Sequence, residues 1–216
     1  MIALPMDIHP PDRPILSFKE FLVHIGTVTI GILIALSLEQ LIEWRHHQNL
    51  IGEARDNIRA EIADNRRELA GHIAETPKNI AGQEAVLQWI ADIEKRGTSS
   101  IHSLKLETNL AELSSTSWTT AQAVGALALM DYAEVKRDAA VYQLQQEFEH
   151  LQREALDATT AAMAPFTGRT VDPAKASAAE LQEERNRVRR SLAALQVQDQ
   201  IGKALEKRYD AWLKGR

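Results

Sequence analysis

Phe21 to Leu38 read "FLVHIGTVTIGILIALSL", eighteen residues without a single Asp, Glu, Lys or Arg. At 1.5 Å per residue a helix of this length covers about 27 Å, close to the roughly 30 Å hydrocarbon core of a bilayer. Apolar side chains occupy every face of it: Phe21, Leu22, Val23, Ile25, Val28, Ile30, Ile32, Leu33, Ile34 and Leu36. A surface helix of a soluble domain shows one stripe instead. Lys19, Glu20 and Glu39 mark the edges, and Trp44 stands just beyond, where an interfacial anchor belongs. The rival readings are a buried core helix and a cleaved signal peptide. The run is longer than the usual signal core, no small-x-small cleavage site follows, and "SLEQLIEW" continues the helix. The stretch reads as an uncleaved single-pass anchor over residues 16–44.

The flanks balance. Arg13 and Lys19 precede the run, and Arg45 and Arg55 follow within twenty residues, so the positive-inside rule gives two against two. The short leader tilts the reading towards the N-terminus inside. If the source is Gram-negative, that places the bulk of the chain in the periplasm and the anchor in the bacterial inner membrane.

Working outward, residues 1–15 hold four of the seven prolines and read as an irregular leader. Past the anchor, residues 45–216 read as a helical bundle domain. Ile51, Ala54, Ile58, Ile62, Leu69 and Ile73 form a stripe at helical spacing, so the first helix extends to about residue 74. Thr76-Pro77 then reads as an N-cap with Pro in the first turn of a second helix ending near Gly97. Residues 97–114 read as a Ser/Thr-rich loop. A third helix covers about 115–130. Asp131 with Glu134 starts a fourth, whose seam is Val141, Leu144, Phe148, Leu151 and Ala155. "PFTGRTVDP" is a loop. Ser177 with Glu180 opens a fifth helix carrying Leu181, Val188, Leu192, Leu195, Ile201, Leu205 and Trp212. The fold class is therefore all-α, a long N-terminal transmembrane helix continuing into an antiparallel, coiled-coil-like bundle.

Composition narrows the chemistry. Hydrophobic residues make up 44% and charged residues 25% of the 216, a globular balance. A net charge of −5 without a dominant basic face gives no reason to expect nucleic acid. No cysteine is present, which excludes a disulfide framework, a Cys zinc site and a Cys nucleophile. His46 and His47 with Glu39 and Glu43 suggest a metal, but adjacent histidines point about 100° apart on a helix, and no H-E-x-x-H occurs. No phosphate loop or G-x-S-x-G is present either. No metal, cofactor or catalytic residue is expected, and the chain does not read as an enzyme.

Three features remain as candidates. His24 is an ionisable group inside the apolar run. Gly26 and Gly31, with Thr27 and Thr29, form a small patch through which membrane helices can meet, although their spacing is not G-x-x-x-G. Trp118, Tyr132 and Tyr142 cluster around the third and fourth predicted helices, where amphipathic aromatics can line a ligand pocket or fill the core. The tail from Lys203 to Arg216 is locally basic, with Trp212 suited to a lipid contact or to closing the core.

"VTIGILIALSLEQLIEW" resembles the N-terminal signature of an uncharacterised family of small bacterial single-pass membrane proteins. "SWTTAQAVGALALMDYAEV" followed by "VYQLQ" is similar to a central motif of its proteobacterial members. The resemblance implies an anchored helical domain and carries no activity or catalytic residues. The expected function is a membrane-anchored scaffold or interaction module whose partners are the lipid bilayer and either its own copies or another membrane protein. The alternative is a ligand-sensing bundle with a pocket near the third and fourth helices.

Overall fold

The computed structural model describes residues 17–100, 108–164 and 176–215. Every regular element among them is a helix: α1 (Phe18–Arg96), α2 (Thr116–Ala123), α3 (Ala126–Leu129), α4 (Tyr132–Met163) and α5 (Ala178–Lys214). The all-α expectation holds. Contacts divide the chain into a stretch up to Leu50 and a compact unit from Ile51 onward, six residues beyond the boundary read from the sequence.

In the first unit no described residue is buried; all are exposed except Gly26, His47 and Leu50, which are half-buried. Among the described residues one helix is long and apolar enough to cross a membrane, and its most apolar window is wholly unburied. Its hydroxyls are satisfied locally: Thr27 donates to the Val23 carbonyl at 2.9 Å and Ser37 to Leu33 at 2.7 Å. That i−4 pattern lets a polar side chain sit in an apolar helix without an orphaned group.

The expected break at Thr76-Pro77 does not occur. α1 runs through Pro77, although proline has no N–H for the carbonyl of Ile73. Thr76 does not cap; its hydroxyl turns back to the His72 carbonyl at 3.0 Å. Packing overrides the local signal, because Leu69, His72 and Thr76 before the proline and Asn79, Gln83 and Val86 after it are buried on one stripe. The third predicted helix, conversely, is two. Gly125 adopts φ 78° between α2 and α3, a left-handed turn open to glycine at little cost.

The caps follow the sequence. Ser177 and Glu180 form a complete capping box. Asp131 caps α4 by accepting from the amides of Ala133 and Glu134, while the Glu134 carboxylate goes to Arg55 instead, at 2.9 and 2.6 Å. Pro165 and the loop after it lie outside the described residues.

The interior is built on heptads. On α4 the buried residues Asp138, Val141, Gln145, Phe148, Gln152, Ala155, Thr159 and Ala162 alternate by three and four. On α5 the same rhythm runs from Leu181 through Glu184, Val188, Ser191, Leu195, Gln198, Gly202, Leu205 and Tyr209 to Trp212. A repeat averaging 3.5 keeps a seam facing its partners along a supercoil. α1 follows it from Ile51 to Ile93 except at Glu61, Asn65 and Leu69, where two steps of four succeed each other. Such a stutter locally unwinds the coil. The expected α4 seam is corrected at two places: Gln145 and Gln152 are buried, and Leu144 and Leu151 are only half-buried.

Side-chain partners give the directions. Phe148 of α4 lies 3.1 Å from a Cβ placed on Gly202 of α5, Tyr209 donates to Gln145, Trp212 to Asp138, and Thr159 bonds Ser191, so α5 is antiparallel to α4. Arg66 with Asp210 and His72 with Gln198 make α5 antiparallel to α1 as well. Arg55 with Glu134, Glu61 with Tyr142 and Asn65 with Gln145 show α1 and α4 running parallel. A parallel pair needs a connection back from Arg96 to Tyr132, and residues 108–115, outside any helix or strand, are part of it.

Replacing the exposed Pro77 by alanine restores the missing N–H in an intact helix. Pro77→Ala is expected to stabilise the bundle by about 1–3 kcal/mol, read as a rise in the thermal unfolding midpoint.

Candidate functional site

The densest chemistry in the bundle surrounds this connecting segment. Residues 108–115 lie outside helix and sheet, and where such backbone is covered, as at Ala111, its N–H and C=O groups must find other partners. Two amide side chains provide them. Asn65 of α1 accepts from the Ser114 N–H at 2.8 Å and donates to the Ser114 carbonyl at 2.7 Å. Gln152 of α4 accepts from the Ala111 N–H at 2.8 Å and donates to the Ala111 carbonyl at 3.0 Å. Each amide thus takes the place of one residue of a neighbouring strand. Gln145 adds a second donor to the Ser114 carbonyl at 3.1 Å, and Asn79 donates to Asn109 at 2.8 Å.

Glu61 holds the segment's far end. Its carboxylate accepts from the Tyr142 hydroxyl at 2.6 Å, the Ser114 hydroxyl at 2.8 Å and the Ser117 N–H at 2.8 Å. Three donors on one largely buried carboxylate are the compensation a buried charge requires. Its lone pairs are engaged in holding structure rather than left open to a substrate. The Tyr209 hydroxyl closes the network on Gln145 Oε1 at 2.8 Å, an oxygen that also accepts from Asn65 at 3.2 Å.

His72 sits one layer further along, edge-on to Phe148 with ring centroids 5.7 Å apart. Its Nε2 lies 3.0 Å from the Gln198 amide nitrogen. An amide nitrogen only donates, so Nε2 accepts and the proton rests on Nδ1, which is buried without a partner. Burial pulls the imidazole below its ordinary range, opposed by the charges of Asp199 and Glu68.

Of the residues singled out in the sequence, Trp118 and Tyr142 come together. Their rings stack at 5.1 Å and 23°, with Tyr142 buried and Trp118 half-buried. Tyr132 is not part of that cluster; it is 79% exposed in the first turn of α4. The stacked faces fill each other, and a shallow open depression lies elsewhere, against Ala140, Gln143, Leu144, Glu147 and Arg208. His24 is exposed on the first unit, and nothing stands within 4 Å of a Cβ placed on Gly26 or Gly31. Trp212 is buried, donating to the buried Asp138 at 2.6 Å.

The sequence carries two Glu-x-x-His spacings, Glu43 with His46 and Glu147 with His150. In the structure Glu43 faces His47 and His150 faces Glu154. No group of three or more acidic or histidine side chains able to hold a metal occurs among the described residues. The polar residues that matter, Asn65, Gln145 and Gln152, went unnoticed because an amide in a heptad carries no motif. Their signal was the heptad itself, which passes through them.

No family model, curated protein or solved structure matches this chain.

Asn65→Leu keeps the branched shape and removes both bonds to Ser114; the loss is expected to be about 2–4 kcal/mol, measured by urea denaturation, with Gln152→Leu similar. The tyrosines give a pH signature. Burial pushes the Tyr142 hydroxyl far above its ordinary range, helped by Glu61, and burial does the same to Tyr209. Both protons stay in the folded state while the unfolded chain releases its own above pH ~10, so stability is intact below that pH. Above it, each tyrosine removes up to about 1.4 kcal/mol per pH unit. Urea midpoints are expected to be unaffected by these tyrosines from pH 8 to about 10 and to fall steeply above it, less steeply in Tyr209→Phe.

Proposed function

We propose that this protein is a membrane-anchored helical scaffold or interaction module, non-enzymatic and self-associating. Residues 16–44 anchor it once in a bacterial inner membrane, and the bundle lies on the periplasmic side. The observation that carries the reading is the uncovered surface of α1: Phe21, Ile25, Ile30, Leu33, Leu36 and Trp44 are all exposed. A core helix of a soluble bundle of the same length would be buried, whereas hydrocarbon is the natural cover for an all-round apolar helix. Self-association is supported by Gly26 and Gly31, where the helix backbone is open to close approach. In lipid, such packing replaces the hydrophobic drive between helices. A scaffold reading also suits the bundle, whose polar interior is consumed in fixing register and in holding residues 108–115.

The test is fractionation of cells expressing the full chain, then purification in mild detergent. The chain is expected in the membrane pellet after alkaline carbonate washing, and its detergent-corrected mass is expected to exceed one copy. Release by carbonate sinks the anchor; a monomer without partner sinks the scaffold. A reporter fused after Arg216 is expected to be active only on the periplasmic side.

A further inference from the structure

The bundle unit exposes five large apolar side chains among its described residues: Leu110, Val124, Leu129, Tyr132 and Val197. Three of them fall within nine positions, on the corner that α2, the Gly125 turn, α3 and the start of α4 form. Val124 is 54% and Tyr132 79% exposed. The corner's inner side is anchored, since Ala121, Ala126 and Met130 are buried. The apolar tips are therefore held outward by a fixed base rather than left loose.

The corner's place in the bundle is set by its two ends. Ser117 is tied to Glu61, and Glu134 to Arg55. The chain between them thus descends towards the end of the bundle at which Ile51 stands. Exposed Lys136 and Arg137 follow on α4. At the same end α5 terminates, with Trp212 bonded to Asp138 and Lys214 closing the helix. Asp131, Glu53 and Asp56 are also exposed nearby in sequence, so charge at this end is mixed and apolar insertion rather than net charge decides the partner.

Only residues 45–50 separate Ile51 from Trp44. Those seven steps cover about 10 Å along α1, which is helical throughout them. Tethering at that range makes the second contact effectively intramolecular. Resting on the anchor reading above, we propose that Val124, Leu129 and Tyr132 insert into the headgroup layer of the bilayer that α1 crosses. Tyrosine suits that layer because its ring is apolar and its hydroxyl stays wet. The bundle would then touch its membrane at a second point besides the helix.

The absence of cysteine makes single labels simple. Ile30→Cys, Leu129→Cys and Val197→Cys, made one at a time in the full chain, carry an environment-sensitive fluorophore. Val197 adjoins Gln198, the partner of His72, about six turns along α1 from Ile51. The labelled chains are reconstituted in phosphatidylcholine vesicles containing nitroxide lipids, with the spin label on the headgroup or deep in the acyl chain. The expected result is acyl quenching at position 30 and headgroup quenching several-fold stronger at 129 than at 197. Quenching at 30 with equal, weak quenching at 129 and 197 overturns the docking and leaves the anchor standing. No acyl quenching at 30 overturns the anchor and the docking with it. Loss of the 129 signal on diluting the protein at constant lipid assigns the corner to a second copy and likewise overturns the proposal. Far-ultraviolet circular dichroism of each labelled chain checks that these exposed substitutions leave the helices intact.

Discussion

Backbone that leaves helix and sheet must find other hydrogen-bond partners, and this bundle contains no sheet among its described residues to supply them. Residues 108–115 run alongside the helices with Ala111 buried, and the amides of Asn65 and Gln152 pair with the backbone of Ser114 and of Ala111. Much else follows. Polar side chains occupy buried heptad positions, Glu61 sits among three donors, and α1 stutters where the segment lies alongside it. The cost is high if a single partner is lost, since each orphaned buried group is worth about 1–3 kcal/mol. The gain is registration: an amide that must meet one backbone residue cannot slide by a turn.

The alternation extends beyond the segment. On α4, Asp138, Gln145, Gln152 and Thr159 take one heptad position, and Val141, Phe148, Ala155 and Ala162 the other. On α5, Glu184, Ser191 and Gln198 alternate with Leu181, Val188 and Leu195. Apolar layers provide the burial, and polar layers between them pair across helices, as Thr159 with Ser191 and Tyr209 with Gln145. A single buried polar residue can set register in a coiled coil; here the device recurs along the length.

The elements that sequence displayed well were those with local chemistry. Ser177 with Glu180 and Asp131 cap their helices as their residue types demand, and the stripe from Ile51 to Leu69 lies inward as its spacing requires. Pro77 carries a breaker's local signal, but the buried residues on both sides of it keep the helix continuous. At Leu144 and Leu151 the conflict runs the other way: hydrophobicity assigned them to the seam, while hydrogen bonding put Gln145 and Gln152 there. Of the aromatic trio, Trp118 and Tyr142 stack on each other and Tyr132 is exposed. The parallel course of α1 and α4 was hidden, since it depends on a segment with no pattern of its own.

That parallel course has a consequence in time. During synthesis, residues 51–93 emerge long before α4 and α5, the helices that cover them. A wholly apolar stripe of that length would stand bare and invite association with other unfinished chains. Glu61, Asn65, His72, Thr76, Asn79 and Gln83 interrupt it. The groups that fix register in the finished bundle also keep the first helix wettable while it waits for the last.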